Sequence, residues 1–172
     1  MKKNKEETIL YALTFLGFIL FPFVFRKKPI KDWVIVYLLK AYISSLIDSW
    51  TVSAGKISYP VRLSPNSFRI SLLFDYLLFP ILCVFYNQFT FRFRLLPTML
   101  SVFIFSIPMI IIEVLLERFT NLINFKKGWN WFTSFYTLTL TFWFVRGTVY
   151  LLNYNSKEDT RSQEAQLSKQ SI

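Results

Sequence analysis

The sequence predicts an all-α protein: a multi-pass transmembrane helix bundle of five spans, closed by a disordered polar tail at the C-terminus. Three observations predict it. Apolar residues make up 53% of the 172 positions and charged residues only 17%, which leaves too little polar surface to cover a soluble core. Five apolar stretches follow one another at 9–25, 33–50, 70–86, 95–116 and 129–152, each close to the ~20 residues that a helix needs to cross a bilayer. Between them lie short basic clusters: Lys2, Lys3 and Lys5; Arg26, Lys27, Lys28 and Lys31; Arg92 and Arg94; Arg118, Lys126 and Lys127. A multi-pass chain meets anionic head groups in this way.

Backbone groups in hydrocarbon must be satisfied within their own segment, so the stretches are predicted as helices despite their many β-favouring Phe and Ile residues. The first follows MKKNK as a secretory signal would, but it runs into FPFVFRKKP without a small-residue cleavage site and is read as a retained helix. Trp33 and Trp50 bracket the second stretch, where amphipathic rings suit an interface. In the connection 51–69, Pro60 and Pro65 exclude a continuous helix and bias Tyr59 and Ser64 to extended geometry. The third stretch contains Pro80 and is followed by Asn87 and Gln88 as end caps, and the alternating FTFRFRL beyond them is expected to skim the interface. Pro108 lies inside the fourth stretch, and Trp129 and Trp131 open the fifth. Residues 1–152 thus form one integral membrane domain, with no internal repeat. Residues 153–172 are rich in Ser, Gln and charge and are expected to be disordered.

Composition also excludes chemistries. The chain has no His, which removes imidazole as a general base, a pH switch or a metal ligand. Cys83 is its one cysteine, so no intramolecular disulfide forms, and inside an apolar run it reads as a small hydrophobe. HExxH, GxSxG and a Walker lysine are all missing. The net charge of +10 is spread over the inter-span clusters, which argues against nucleic acid as a partner. It does not orient the chain: the N-tail and the second and fourth connections carry nine basic residues, and the opposite side also carries nine. The positive-inside rule returns a tie.

Ionisable groups inside spans are costly and mark a bundle interior or a water-filled cavity. In the second span Tyr37, Lys40, Ser44, Asp48 and Thr51 recur at helical spacing and form one stripe. Ser71, Asp75, Leu82 and Tyr86 share a face of the third; Ser106, Glu113 and Glu117 of the fourth; Thr139, Trp143, Arg146 and Tyr150 of the fifth. The predicted polar centre is therefore Lys40, Asp48, Asp75, Glu113 and Arg146. Its excess of carboxylates favours a shared proton or a bound cation. An all-oxygen set suits a hard cation better than zinc, although no metal site is assigned and no cofactor is implied. The competing reading is that these groups pair between helices and fix the packing. A second candidate is the loop, where Tyr59, Arg62 and Arg69 could bind a lipid phosphate or a partner carboxylate through the arginine fork. Against it stands a proline-stiffened loop with snorkelling arginines.

The blocks RKKPIKDW, YISSLID, YPVRLSPNSF, SLLFDYLLFP, YNQ, SIPMIIIE and KKGWNWF, the last followed by LTLTFWFVRG, together resemble a family of small uncharacterised multi-pass membrane proteins of spore-forming Firmicutes (bacilli and clostridia). The resemblance covers residues 1 to about 152 and implies a five-span protein of the cell membrane. It transfers no catalytic role to any residue. The function expected is a non-enzymatic structural or regulatory role in the cell envelope. The alternatives are a small transporter or proton-coupled permease using the intramembrane carboxylates, and a protein that binds or modifies lipid head groups. The expected partners are membrane lipids, including anionic head groups, and a second copy or another membrane protein.

Overall fold

Where the backbone must satisfy its own polar groups, helices form, and helices dominate this chain. The computed structural model describes residues 2–63, 69–126 and 128–170, with side chains at 5–63, 69–126 and 128–155. It contains α1 (Lys2–Val24), α2 (Ile30–Ser53), α3 (Phe79–Phe89), α4 (Leu95–Phe119) and α5 (Trp131–Gln170). Two short strands, β1 (Ile57–Ser58) and β2 (Asn124–Phe125), pair antiparallel. Residues 64–68, which include Ser64 and Pro65 of the loop, and Lys127 lie outside the described residues.

Prolines set several boundaries. Pro29 is extended and immediately precedes α2, whose first turn carries Asp32 at the positive end of the helix dipole. Pro97 sits in the first turn of α4, where its missing N–H would have had no helical acceptor. Pro80 acts differently. A proline cannot donate to the carbonyl four residues back, which here belongs to Tyr76. The chain passes that point as a π-helical segment, Phe74–Leu78, continuous with α3, and the Tyr37 hydroxyl donates to the Tyr76 carbonyl. The widened turn is a feature that the hydropathy pattern did not predict.

The helices run alternately up and down, as the contacts at their ends show. At one end β1 pairs with β2, and the Lys126 amide donates to the Lys56 carbonyl at 2.7 Å. At that same end Glu6 of α1 accepts from the Asn121 amide at 3.0 Å and from its side chain at 2.6 Å. At the opposite end Gln88 Nε2 donates to the Val24 carbonyl at 2.6 Å, and Asn153 Nδ2 to Asp32 at 2.7 Å.

The distribution of polarity is inverted relative to a water-soluble bundle. Tyr11, Phe15 and Phe18 on α1, Leu38 and Leu46 on α2, Ile104 and Ile111 on α4, and Phe144 on α5 are exposed, while Lys40, Asp48, Asp75 and Glu113 are buried. The apolar interior is built on Trp33, Val36, Val84, Tyr86, Phe142 and Val145, with Tyr86 and Phe142 stacked at 5.7 Å. α1 is the most peripheral helix. It approaches the bundle through Gly17, where an added Cβ would run into the Leu77 side chain.

Among the described residues two helices are long and apolar enough to cross a membrane, α1 over Lys5–Val24 and α4 over Leu95–Phe119. The expectation of a disordered tail is corrected: α5 continues as helix to Gln170. No Gly or Pro follows Gly147 in the sequence, and Glu, Gln, Lys, Arg and Ala are good helix formers, so nothing local stops it.

Candidate functional site

The polar stripe of α2 turns inward as its spacing predicts: Lys40, Ser44, Asp48 and Thr51 are all buried. At 1.5 Å per residue it extends roughly 16 Å, from the middle of α2 to the end beside β1. It lines a cavity of about 70 Å³ together with Asp75 from the π-helical segment, Glu113 from α4 and Ser134 and Thr141 from α5. Ile57, Phe125 and Trp129 close in around it at the ribbon end. The volume accommodates a few waters or one small cation.

Asp48 is the most elaborately held group. Its Oδ1 accepts from the Tyr59 hydroxyl at 2.9 Å and from the Thr51 hydroxyl at 3.4 Å, and its Oδ2 accepts from the Ser71 amide at 3.2 Å. The Asp75 carboxyl lies within hydrogen-bonding reach of it. Asp75 Oδ2 is itself buried without a hydrogen-bond partner. Position 75 falls within the π turn, and such turns recur at functional sites. Burial and the facing Asp48 carboxylate push the Tyr59 phenol well above its ordinary range, which keeps it a donor.

Across the cavity, Lys40 Nζ donates to the Thr141 hydroxyl at 2.8 Å and lies 5.4 and 5.3 Å from the Phe79 and Phe142 ring centres. Glu113 and Ser134 line the cavity together, and the Ser134 hydroxyl accepts from Trp129 Nε1 at 2.9 Å. At the ribbon end Lys56 sits 4.2 Å from the Trp50 ring centre and 5.9 Å from that of Trp129, a cation–π clasp linking the second and fourth connections.

Four of the five residues predicted for the polar centre therefore meet. Arg146 does not. Its guanidinium reaches the opposite end of the bundle and donates to the carbonyls of Thr90 and Phe91 at 3.0 and 3.5 Å. Thr90 ends α3, and a cation is favoured at a helix C-terminus by the dipole and by carbonyls without helical partners. The predicted α5 face is corrected as well, since Tyr150 is exposed while Ser134 and Thr141 line the cavity. Their spacing, with Thr137 between, is itself helical and was the available signal.

Of the loop candidate Tyr59 faces inward, while Arg62 and Arg69 flank residues 64–68, which lie outside the described residues. Tyr59 is buried with its hydroxyl on Asp48, Arg62 donates to the Tyr59 carbonyl at 2.7 Å, and Arg69 is exposed. Among the described residues no group of three or more His, Cys, Asp or Glu side chains is placed to hold a metal ion. No family model, curated protein or solved structure matches the chain.

Proposed function

We propose that the chain is a non-enzymatic five-span protein of the cell membrane whose buried carboxylate chamber exchanges protons with a small monovalent cation, in the manner of a small permease. Two helices of spanning length support the membrane reading. So do the outward aromatic and aliphatic side chains with ionisable groups within. The opposed connections at the two ends of the bundle agree with an odd number of crossings. This reading also carries the proposed kinship with the five-span Firmicutes proteins.

One observation favours the permease reading over pairing that merely fixes the helices. Lys40 bonds Thr141, and the two aspartate carboxyls lie within reach of one another, with no ion pair to either among the described residues. Two carboxyl groups in such contact require a proton or a cation between them, and Asp75 Oδ2 is free to receive it. Val36, Val84 and Phe142 are buried on the side of Lys40 away from the ribbon, and the cavity's lining extends from Lys40 to Ile57, Phe125 and Trp129 at the ribbon end. The structural or regulatory reading is favoured instead by the hydrogen bonds that fasten helices at both ends, α1 to the fourth connection and α2 to α5.

The deciding test is sodium- or potassium-driven proton movement in proteoliposomes holding the full chain. Asp75→Asn is expected to abolish it while insertion and helix content persist. Wild-type flux in that variant, or no flux in the wild type with either ion, rejects the permease reading in favour of the structural one.

A further inference from the structure

A second cavity, of about 470 Å³, lies on the outer side of the α4–α5 wall. Its α4 side is one stripe, Ile107, Ile110, Ile111, Val114 and Leu115, ending in Arg118; Trp131 and Phe135 supply the α5 side. Eleven residues separate Ile107 from Arg118, a rise of roughly 16 Å, close to half of a ~30 Å hydrocarbon core and thus to one leaflet. Ile107, Ile111, Leu115 and Trp131 are exposed, so the groove is reached from the side. Arg118 stands exposed in the last turn of α4. Among the described residues it makes no hydrogen bond or ion pair.

From this geometry we infer a binding site for one anionic glycerophospholipid, with an acyl chain along Ile107–Leu115 and its phosphate on Arg118. The groove wall is apolar throughout except for a single cation at one end, which complements a molecule with a long apolar body and one anionic head. A guanidinium presents a fork that matches two phosphate oxygens. Trp131, beside it at the start of α5, suits the head-group level. The inference rests on the membrane part of the proposed function and is independent of the chamber.

The test reads Trp131 fluorescence, isolated as the difference between the wild type and Trp131→Phe, in the full chain reconstituted into vesicles. A minor fraction of the lipid carries brominated acyl chains, as phosphatidylglycerol in one series and phosphatidylcholine in the other. Brominated phosphatidylglycerol is expected to quench Trp131 with about fivefold greater apparent affinity, the size of one cation–lipid contact near the surface. Arg118→Gln should remove that preference and Arg118→Lys should retain most of it. Equal quenching by the two lipids, or a preference that survives Arg118→Gln, overturns the site and leaves the membrane reading intact. Quenching of the other tryptophans but not of Trp131 means that the groove is covered by protein, which also overturns it. No quenching of any tryptophan places the chain outside the bilayer and fails the five-span reading itself.

Discussion

Tyr59→Phe isolates the contact that holds the chamber from its ribbon end. Tyr59 is 7% exposed, and its hydroxyl donates to Asp48 Oδ1 at 2.9 Å. Phenylalanine fills the same ring volume, so the change deletes one hydrogen bond to an acidic group without opening a cavity. Such bonds contribute about 1.5–3 kcal/mol. Asp48 keeps the Ser71 amide and the longer contact with Thr51, which places the expected loss near the lower limit, about 1.5 kcal/mol. The measurement is unfolding in mixed micelles, titrated with a denaturing detergent and followed by circular dichroism. The pH arm has a definite sign. Burial, and then the Asp48 carboxylate, hold the phenol protonated in the folded chain well above its ordinary range. An unfolded tyrosine ionises near pH ~10. Above that pH the folded state binds more protons than the unfolded state, so wild-type stability falls as pH rises. The slope approaches ~1.4 kcal/mol per pH unit, and the Tyr59→Phe variant lacks this contribution. The two should therefore differ below pH ~10 and converge about one unit above it. A variant within about 0.5 kcal/mol of wild type at neutral pH, or a gap that stays constant through the alkaline range, refutes the assignment.

Two further substitutions test how the bundle is tied together. Glu6→Ala removes the acceptor for both Asn121 donors and is expected to cost about 1–3 kcal/mol in the same detergent titration; an unchanged midpoint would mean that α1 is held by apolar packing alone. Gly17→Ile drives a side chain into Leu77 and should destabilise by about 1–3 kcal/mol. Leu77→Ala should relieve part of that cost in the double variant, and strict additivity of the two changes would show that they do not meet.

Helix positions were legible in the sequence because they follow from properties of short windows. The stretch predicted at 33–50 is observed as Ile30–Ser53, and that at 95–116 as Leu95–Phe119. The first and last helices run further than their apolar cores, because charged helix formers extend an existing helix at little cost. The π turn was missed because nothing in hydropathy reports a proline's effect on the carbonyl four residues back. The ribbon was missed because Ile57 and Phe125 pair across 68 positions, beyond the reach of any local pattern. The same limit explains the chamber. Spacing brought Lys40 and Asp48 to one face of α2, but it placed Arg146 in the centre only by assuming that its helix faces inward at that level.

The sequence by itself determined that this chain is helical, that its surface is apolar, and that Asp48, Asp75 and Glu113 sit on inward faces. Each of these is set by composition or by neighbours three and four residues apart. Tertiary structure alone decided which faces meet. Helix order brings Asp48, Asp75, Glu113 and Ser134 around one cavity and Lys40 to Thr141, and it sends Arg146 to the carbonyls ending α3. Periodicity specifies a direction around each axis, whereas a site of several residues also requires a common level along the axes and a neighbour on the correct side. Only long-range packing supplies those.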